Sequence, residues 1–336
     1  MLNNPDYLLN KIKSLPDKPG VYMMKDSQGK IIYIGKSKCL NKRVKSYFNR
    51  DHKWEKLKRL VFNIDGLEYI VTDTHLEAQL LECQLIKRHK PIYNSQFAKD
   101  RNYVYLRIEE CNTISPLSVS LEKEGRYIFG PFRSRRYIYN LTNLMAKLYP
   151  IRKDEDGYQF EYNPLPYSMS ERDFEENKKC LIEILSTRNH LEAFLNSLKR
   201  KMEEASSGLL FERASHYRDT LLSAEYIYRS LENDITKDKR ILMGEKIDQG
   251  FKLFYIYDGN LIMKKSFFNL SLYDVEDFIL QAENMSNHNY SKRDEKSNMD
   301  YKIIINKELK DMTSKVVEEI NIDFNAKLFW DKLTIL

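Results

Sequence analysis

The sequence predicts an α+β protein, and three patterns in its 336 residues predict it. Two runs rich in Val, Ile and Tyr, residues 20–26 and 31–37, flank Ser27-Gln28-Gly29, and a third run follows at 67–73. Strand formers around turn residues read as a small three-stranded antiparallel sheet. Apolar residues then recur at helical spacing, first in the stripe Ala78, Leu81, Glu82, Leu85, Ile86, His89 and again in two consecutive stretches beyond Asp173. Near the end, Asp258-Gly259 separates FKLFYIY from LIMKKSFF, a strong hairpin signal. The expected organisation is a sheet domain at 1–98 flanked by helices, a connecting segment at 99–172, and a helical region at 173–233 with a hairpin at about 195–230. A small mixed α/β segment at 234–336 completes it.

Taken in order, Asn4-Pro5 reads as an N-cap with proline at the first helical position, opening a short helix to about Ser14 that Leu15-Pro16 ends. Period-two alternation puts Tyr22 on one strand of the hairpin and Tyr33 on its neighbour. The chain leaves the sheet through Gly35 and Lys36 into a helix with Val44, Tyr47 and Phe48 inward and Arg43 beside them. A helix from Trp54 to Phe62 carries Lys53, Lys56, Lys58 and Arg59 on its wet side. Thr74 and Glu77 form a capping-box pattern, which assigns Glu77 to a backbone N–H. Pro91 closes the long helix after Lys87-Arg88-His89, and Tyr93-Asn94 make an exit turn, where a lone Asn ordinarily serves the turn or the helix cap.

Residues 153–172, with Pro164 and Pro166, read as a linker or irregular surface segment. Leu191, Phe194, Leu195, Leu198 and Met202 form one helical stripe; after Ser206-Ser207-Gly208, Phe211, Ala214, Arg218, Leu221 and Leu222 form another. Neither helix buries its stripe alone, so the two read as an antiparallel pair. DVEDFILQAENM is an amphipathic helix, 286–300 is a polar and mobile stretch, YKIII is a final strand, and a helix surrounds Ser314 to Ile320.

Composition narrows the class. The chain begins MLNNPDYLLNKIKSL, without an apolar signal-peptide core, and no apolar run approaches transmembrane length, so the cytoplasm is the expected compartment and no membrane partner is expected. Cys39, Cys83, Cys111 and Cys180 are scattered, with no CxxC pair, and read as reduced thiols. The net charge of +6 is uneven: residues 1–60 hold 15 Lys/Arg against 5 Asp/Glu, and the remainder is slightly acidic. Such a basic patch attracts a polyanion.

The hairpin and the helix after it bring two phenols, an ammonium and a guanidinium toward one corner. A phosphodiester is anionic, and its hydrolysis needs charge neutralised at the non-bridging oxygens and a base for water. Lys36 and Arg43 supply the first; a phenol, Tyr22 or Tyr33, with its pKa lowered by adjacent cations supplies the second. Glu82 falls on a stripe that is otherwise inward and mostly apolar. A carboxylate there either binds a hard divalent cation or pairs with Lys87 or Arg88 at the helix edge.

GVY at 20–22, YIG at 33–35, Lys36, Arg43, Glu82 and Asn94 in RHKPIYN, in this order, resemble the GIY-YIG nuclease module, in the form found in the UvrC family of excision-repair endonucleases. Val21 stands where many GIY-YIG enzymes have Ile, as it does in UvrC-type members. KDRNYVYLRI at 99–108 and YIFGPFRSRRYIYNLTNLMAKLYPIR at 127–152 resemble that family's FGP stretch. Arg133, Arg135, Arg136, Tyr137 and Tyr139 there suit either a DNA backbone grip or a solvated turn before a core helix. MEEASSGLLFERASHYRDTL at 202–221 resembles the UVR motif, and residues 234–336 faintly resemble the opening of the family's RNase-H-like half.

The resemblance implies a metal-dependent DNA endonuclease making the incision 3′ to a lesion in concert with UvrB, with Mg²⁺ or Mn²⁺ on Glu82. Tyr22, Tyr33, Lys36, Arg43 and Asn94 would be catalytic, and Gly35 would let the backbone pass close by. It implies docking of a UvrB-like protein through Phe211 as apolar anchor, with Glu212, Arg218 and Asp219 as polar contacts; a plain hairpin packed within the chain is the alternative. No cysteine lies in IRKDEDGYQFEYNPLPYSMSERDF, where many family members have a cluster, so neither an iron–sulfur cluster nor zinc is expected. A UvrB-independent structure-specific nuclease and a non-catalytic adaptor are the rival functions.

Overall fold

The computed structural model describes residues 6–48, 55–95, 103–232, 235–288, 295–311 and 313–336. They form two compact units, one of residues 1–100 with 235–336 and one of residues 101–234. Asn4, Pro5, Lys53, Trp54 and residues 96–102 lie outside the described residues.

The first unit opens with α1 (Asp6–Lys13), β1 (Gly20–Lys25), β2 (Ile31–Ser37), α2 (Leu40–Phe48), α3 (Glu55–Phe62), β3 (Gly66–Val71) and α4 (His75–His89). The strands form an antiparallel sheet in the order β2-β1-β3, with Tyr22 opposite Gly35 and Met24 opposite Tyr33. Alternation gives the sheet two covered faces. Tyr22, Met24, Ile32 and Leu67 pack with α1, α2 and α3, while Val21, Met23 and Ile34 meet Ala78 and Ile86 of α4. The predicted capping box opens α4: the Glu77 N–H donates to Thr74 Oγ1 and the Thr74 N–H to Glu77 Oε2, each at 3.3 Å. Lys90, in a left-handed conformation, closes it.

The second unit contains β4 (Val104–Ile108), β5 (Leu117–Ser120), β6 (Tyr127–Phe132), α5 (Arg135–Met145), β7 (Arg152–Asp154), β8 (Gly157–Gln159), α6 (Glu171–Ser186), α7 (Arg188–Ser207) and α8 (Phe211–Glu232). Its sheet runs β5-β4-β6, and β7 pairs with β8. The stretch 153–172, expected as a linker or irregular surface segment, is irregular after β8 with Leu165 and Tyr167 exposed, but much of it packs inward. Tyr158, Phe160, Tyr162 and Met169 are buried in one core with Phe194, Leu198 and Tyr217, because four large apolar side chains in a proline-bearing stretch gain more from cover than from solvent. The expected α8 stripe holds in part: Ala214 and Leu221 pack on the core, where Tyr217, Ala224 and Ile227 are buried, while Phe211, Arg218 and Leu222 are exposed.

The first unit resumes with β9 (Arg240–Ile247), β10 (Gly250–Tyr257), β11 (Asn260–Phe267), α9 (Leu272–His288), α10 (Glu295–Leu309), β12 (Lys315–Glu319) and α11 (Ala326–Ile335). The order is β11-β10-β9-β12, all antiparallel. Asp258 and Gly259, at φ 44° and 71°, make the predicted hairpin turn. Two assignments are exchanged relative to expectation. YKIII lies within α10, because Tyr301, Ile304, Ile305 and Leu309 recur at helical spacing on one apolar cluster. The expected helix around Ser314–Ile320 is instead β12, whose Val316 and Val317 point to clusters on opposite faces of the sheet. In the stretch expected to be polar and mobile, α9 continues to His288 and α10 begins at Glu295; residues 289–294 lie outside the described residues.

Candidate active site

The corner where β1, β2 and α2 meet is built on three tyrosines. Tyr22 is 1 % exposed, and its hydroxyl lies 2.9 Å from that of Tyr47. The Tyr47 hydroxyl donates to Tyr33 Oη at 3.2 Å and accepts from Arg43 Nη2 at 3.2 Å. The three ring centroids are 5.9–6.2 Å apart, and the Arg43 guanidinium stands 5.1 Å from the Tyr47 ring centroid. Tyr33 is the half-buried member and the end of this donor chain. Helical spacing alone predicts Tyr47 as an inward core residue. The signal was a phenol four residues after Arg43 on an apolar stripe, since a buried hydroxyl needs a partner.

Gly35 makes room for this packing. A Cβ at residue 35 would sit 2.3 Å from Tyr22 Oη, so the side chain passing close to its backbone is the Tyr22 ring. Asn94 works on the outer edge of β2. Its Oδ1 accepts from the Ile34 N–H at 2.9 Å and its Nδ2 donates to the Ile34 carbonyl at 2.8 Å, while the Tyr93 N–H donates to the Ile32 carbonyl at 3.1 Å. Both amide atoms are spent on the strand between Tyr33 and Gly35. Asn94 thereby ties the exit turn to β2 beside Tyr33 and Gly35.

Glu82 faces this corner from α4. Its Oε1 accepts the Lys36 backbone N–H at 3.1 Å, and its other oxygen has no hydrogen-bond partner among the described residues. The alternative pairing with Lys87 or Arg88 does not form: Lys87 meets Asp300 at 2.9 Å, and Arg88 is exposed. Burial pushes the Glu82 carboxyl up, against the charges of Lys36 and Arg43 and the Lys36 N–H. Burial likewise pushes the Lys36 ammonium down, with Glu82 opposing. Among the described residues, no carboxylate lies within salt-bridge distance of the Lys36 ammonium.

The expected lowering of a phenol pKa is overturned. Burial first, then the neighbouring Tyr47, push Tyr22 and Tyr33 upward, and Arg43 opposes this only in part. Desolvating a phenolate costs more here than one partly exposed guanidinium returns.

Residues 18–95 match the UvrC-like GIY-YIG domain, and residues 192–227 match the UvrB/uvrC motif. UvrABC system protein C of Clostridium acetobutylicum is 33% identical over 279 residues, covering 76% of this chain and 44% of that protein. The same protein of Acetivibrio thermocellus is 32% identical, covering 80% and 46%. The chain belongs to the UvrC family. It spans about half the length of the curated UvrC relatives it matches. Among solved structures, the magnesium-bound GIY-YIG N-terminal endonuclease domain of UvrC from Thermotoga maritima is 42% identical, covering 27% of this chain and 98% of that one, with a TM-score of 0.25.

The UVR segment of this UvrC-family chain is the α7–α8 hairpin. Gly208 ends α7, Leu209 turns at φ 58°, and Phe211 opens α8 with 67% of its surface exposed. Leu209 and Leu210 are exposed in the turn just before it, making an apolar tip, and Leu222 is exposed farther along α8. Arg218 donates to Asp219 Oδ1 at 2.8 Å, and Glu212 accepts from Tyr162 at 2.7 Å. Glu212 is thereby tied within the chain. Arg133, Arg135 and Arg136 are exposed at the start of α5, where Tyr137 stacks one face on Tyr226 at 4.9 Å and stays partly exposed.

Proposed function

We propose that the chain is a metal-dependent DNA endonuclease of nucleotide excision repair, cutting on the 3′ side of a lesion together with a UvrB-like partner. The observation that carries this reading is Glu82: a half-buried carboxylate with one oxygen unspent, close to an unpaired ammonium, a guanidinium and a phenol. Among the described residues no group of three or more His, Cys, Asp or Glu is gathered to hold a metal. One carboxylate completed by water suits a hard divalent cation such as Mg²⁺ or Mn²⁺. When bound, such a cation polarises the scissile phosphate and steadies the departing oxygen.

The chain's own groups do the rest. Lys36 and Arg43 neutralise the non-bridging oxygens, and Arg43 also holds Tyr47, which fixes the direction of the Tyr33 hydroxyl. Tyr33, with its half-exposed phenol, orients the attacking water; Tyr22 is locked beneath it as packing and hydrogen-bond support. Uncatalysed phosphodiester hydrolysis is so slow that these parts together must lower the barrier by well over ~15 kcal/mol. The UVR hairpin, with Phe211 and its leucine neighbours outward, is the proposed UvrB contact, and no described helix is long and apolar enough to cross a membrane.

The test is a lesion-bearing duplex with Mg²⁺, with and without UvrB, beside Glu82→Ala. Cutting by wild type only with UvrB, and none by Glu82→Ala, is the expected result. Cutting without UvrB favours an independent nuclease, and no cutting by wild type in either tube favours an adaptor.

A further inference from the structure

Helix α4 is covered on two sides. Ala78, Leu81, Leu85 and Ile86 pack on the β2-β1-β3 sheet, whereas Leu76, Leu80 and Cys83 pack on Met243, Phe254, Ile305 and Leu309. Directional contacts reinforce the second face. Gln79 Nε2 donates to Glu308 Oε2 at 2.7 Å, and Lys315 donates to Glu308 Oε1; all three residues are less than 10% exposed. Glu77 meets Lys264 at 2.5 Å and Lys252 at 3.2 Å, and Lys87 meets the buried Asp300 at 2.9 Å. Each partner comes from residues 235–336.

An apolar contact tolerates sliding; a buried hydrogen bond to a charged group is lost over a shift of about 1 Å, leaving its members unsatisfied. Gln79 lies three residues before Glu82, a little under one helical turn, so holding its amide fixes both the height and the rotation of the Glu82 carboxylate. Lys315 holds Glu308 in place, and β12 pairs Lys315 to Glu245 of the sheet.

We infer that residues 235–336 clamp the Glu82 helix, with Glu308 as a positioning residue that holds Gln79 and through it the cation-binding carboxylate. The inference deepens the nuclease reading, on which the role of Glu82 rests. It gives a function to a segment that neither matched domain covers.

Two readouts on the full chain test it. Glu308→Ala should speed amide hydrogen exchange across residues 76–88 at least tenfold while β1 and β2 exchange as in wild type, and should weaken Mn²⁺ binding about tenfold, since misplacing a ligand by about 1 Å is enough for such losses. Because Glu308→Ala also leaves Lys315 buried without its partner, the double variant Glu308→Gln, Lys315→Met is the rescue: it keeps an acceptor for Gln79 without any buried charge and should restore both values. Gln79→Leu, which leaves the Glu308–Lys315 pair intact, should move both readouts the same way by about threefold, half the logarithm of the tenfold loss expected when both contacts go. Unchanged α4 exchange, or exchange rising uniformly over the unit, overturns the clamp. Should wild type bind no Mn²⁺, the nuclease reading fails, while the exchange measurement still decides the clamp.

Discussion

Two regions of this protein place polar groups under cover, and they use them in opposite ways. In the seam between α4 and residues 235–336, polar atoms are mostly spent on each other: Glu308 on Gln79 and Lys315, Glu77 on Lys252 and Lys264, Lys87 on Asp300. In the tyrosine corner the Lys36 ammonium and one Glu82 oxygen have no such partner among the described residues. Bonding capacity left unspent, at the expense of desolvation, is what a substrate can use; capacity already spent holds geometry. His75 Nδ1 and Glu245 Oε2 are exceptions in the seam, both buried without a hydrogen bond.

The largest effect that would break this contrast is at Tyr33. Tyr33→Phe should lower kcat by about 10²–10⁴ with the melting temperature nearly unchanged, as expected of a proton-handling or water-orienting group at a partly exposed position. A loss under tenfold would make the corner a packing feature. Gly35→Ala comes next: its Cβ would overlap the Tyr22 phenol, so thermal or urea unfolding should show about 1–3 kcal/mol of lost stability, with cleavage falling as the rings are displaced. Tyr47→Phe removes the relay between Arg43 and Tyr33. A lost hydrogen bond of about 1 kcal/mol predicts roughly a fivefold fall in kcat, with KM little changed.

The smallest effect sharpens the seam. Burial raises Glu245 to about 7 among Lys315, Glu308, Lys38 and Glu77, so the folded chain holds this proton more tightly than the unfolded one, and the group removes stability as pH rises from 4.5 toward 7. Burial lowers His75 to about 4, with Lys36, Lys38 and Lys315 adding to this and Glu308 opposing, so it removes stability as pH falls from 6.5 toward 4. The two slopes oppose each other over 4.5–6.5. Urea midpoints across that range should change little in wild type, rise with pH in Glu245→Gln, and fall with pH in His75→Gln.

The hairpin, the capping box at Thr74 and the turn at Asp258-Gly259 were legible because local chemistry alone specifies them. Glu82 was legible as a misfit, a carboxylate on an apolar stripe. The second buried face of α4 was not: Leu76, Gln79 and Cys83 lie on no predicted stripe, and the residues that cover them, from Ile241 to Leu309, come far later in the chain. YKIII and KVVEE were exchanged for the same reason. Short apolar runs fit helix or strand alike, and packing of Ile304 and Ile305 on α4, with pairing of β12 to β9, made the choice.

By itself, then, the sequence determined which chemical groups this protein carries to the N-terminal corner, since the order of strand, turn and helix presents Tyr22, Tyr33, Lys36 and Arg43 whatever lies beyond them. Only the tertiary structure decided their protonation and partners. Burial, which no local pattern encodes, raised the phenols that neighbouring cations were expected to lower, recruited Tyr47, and committed Asn94 to the backbone of β2.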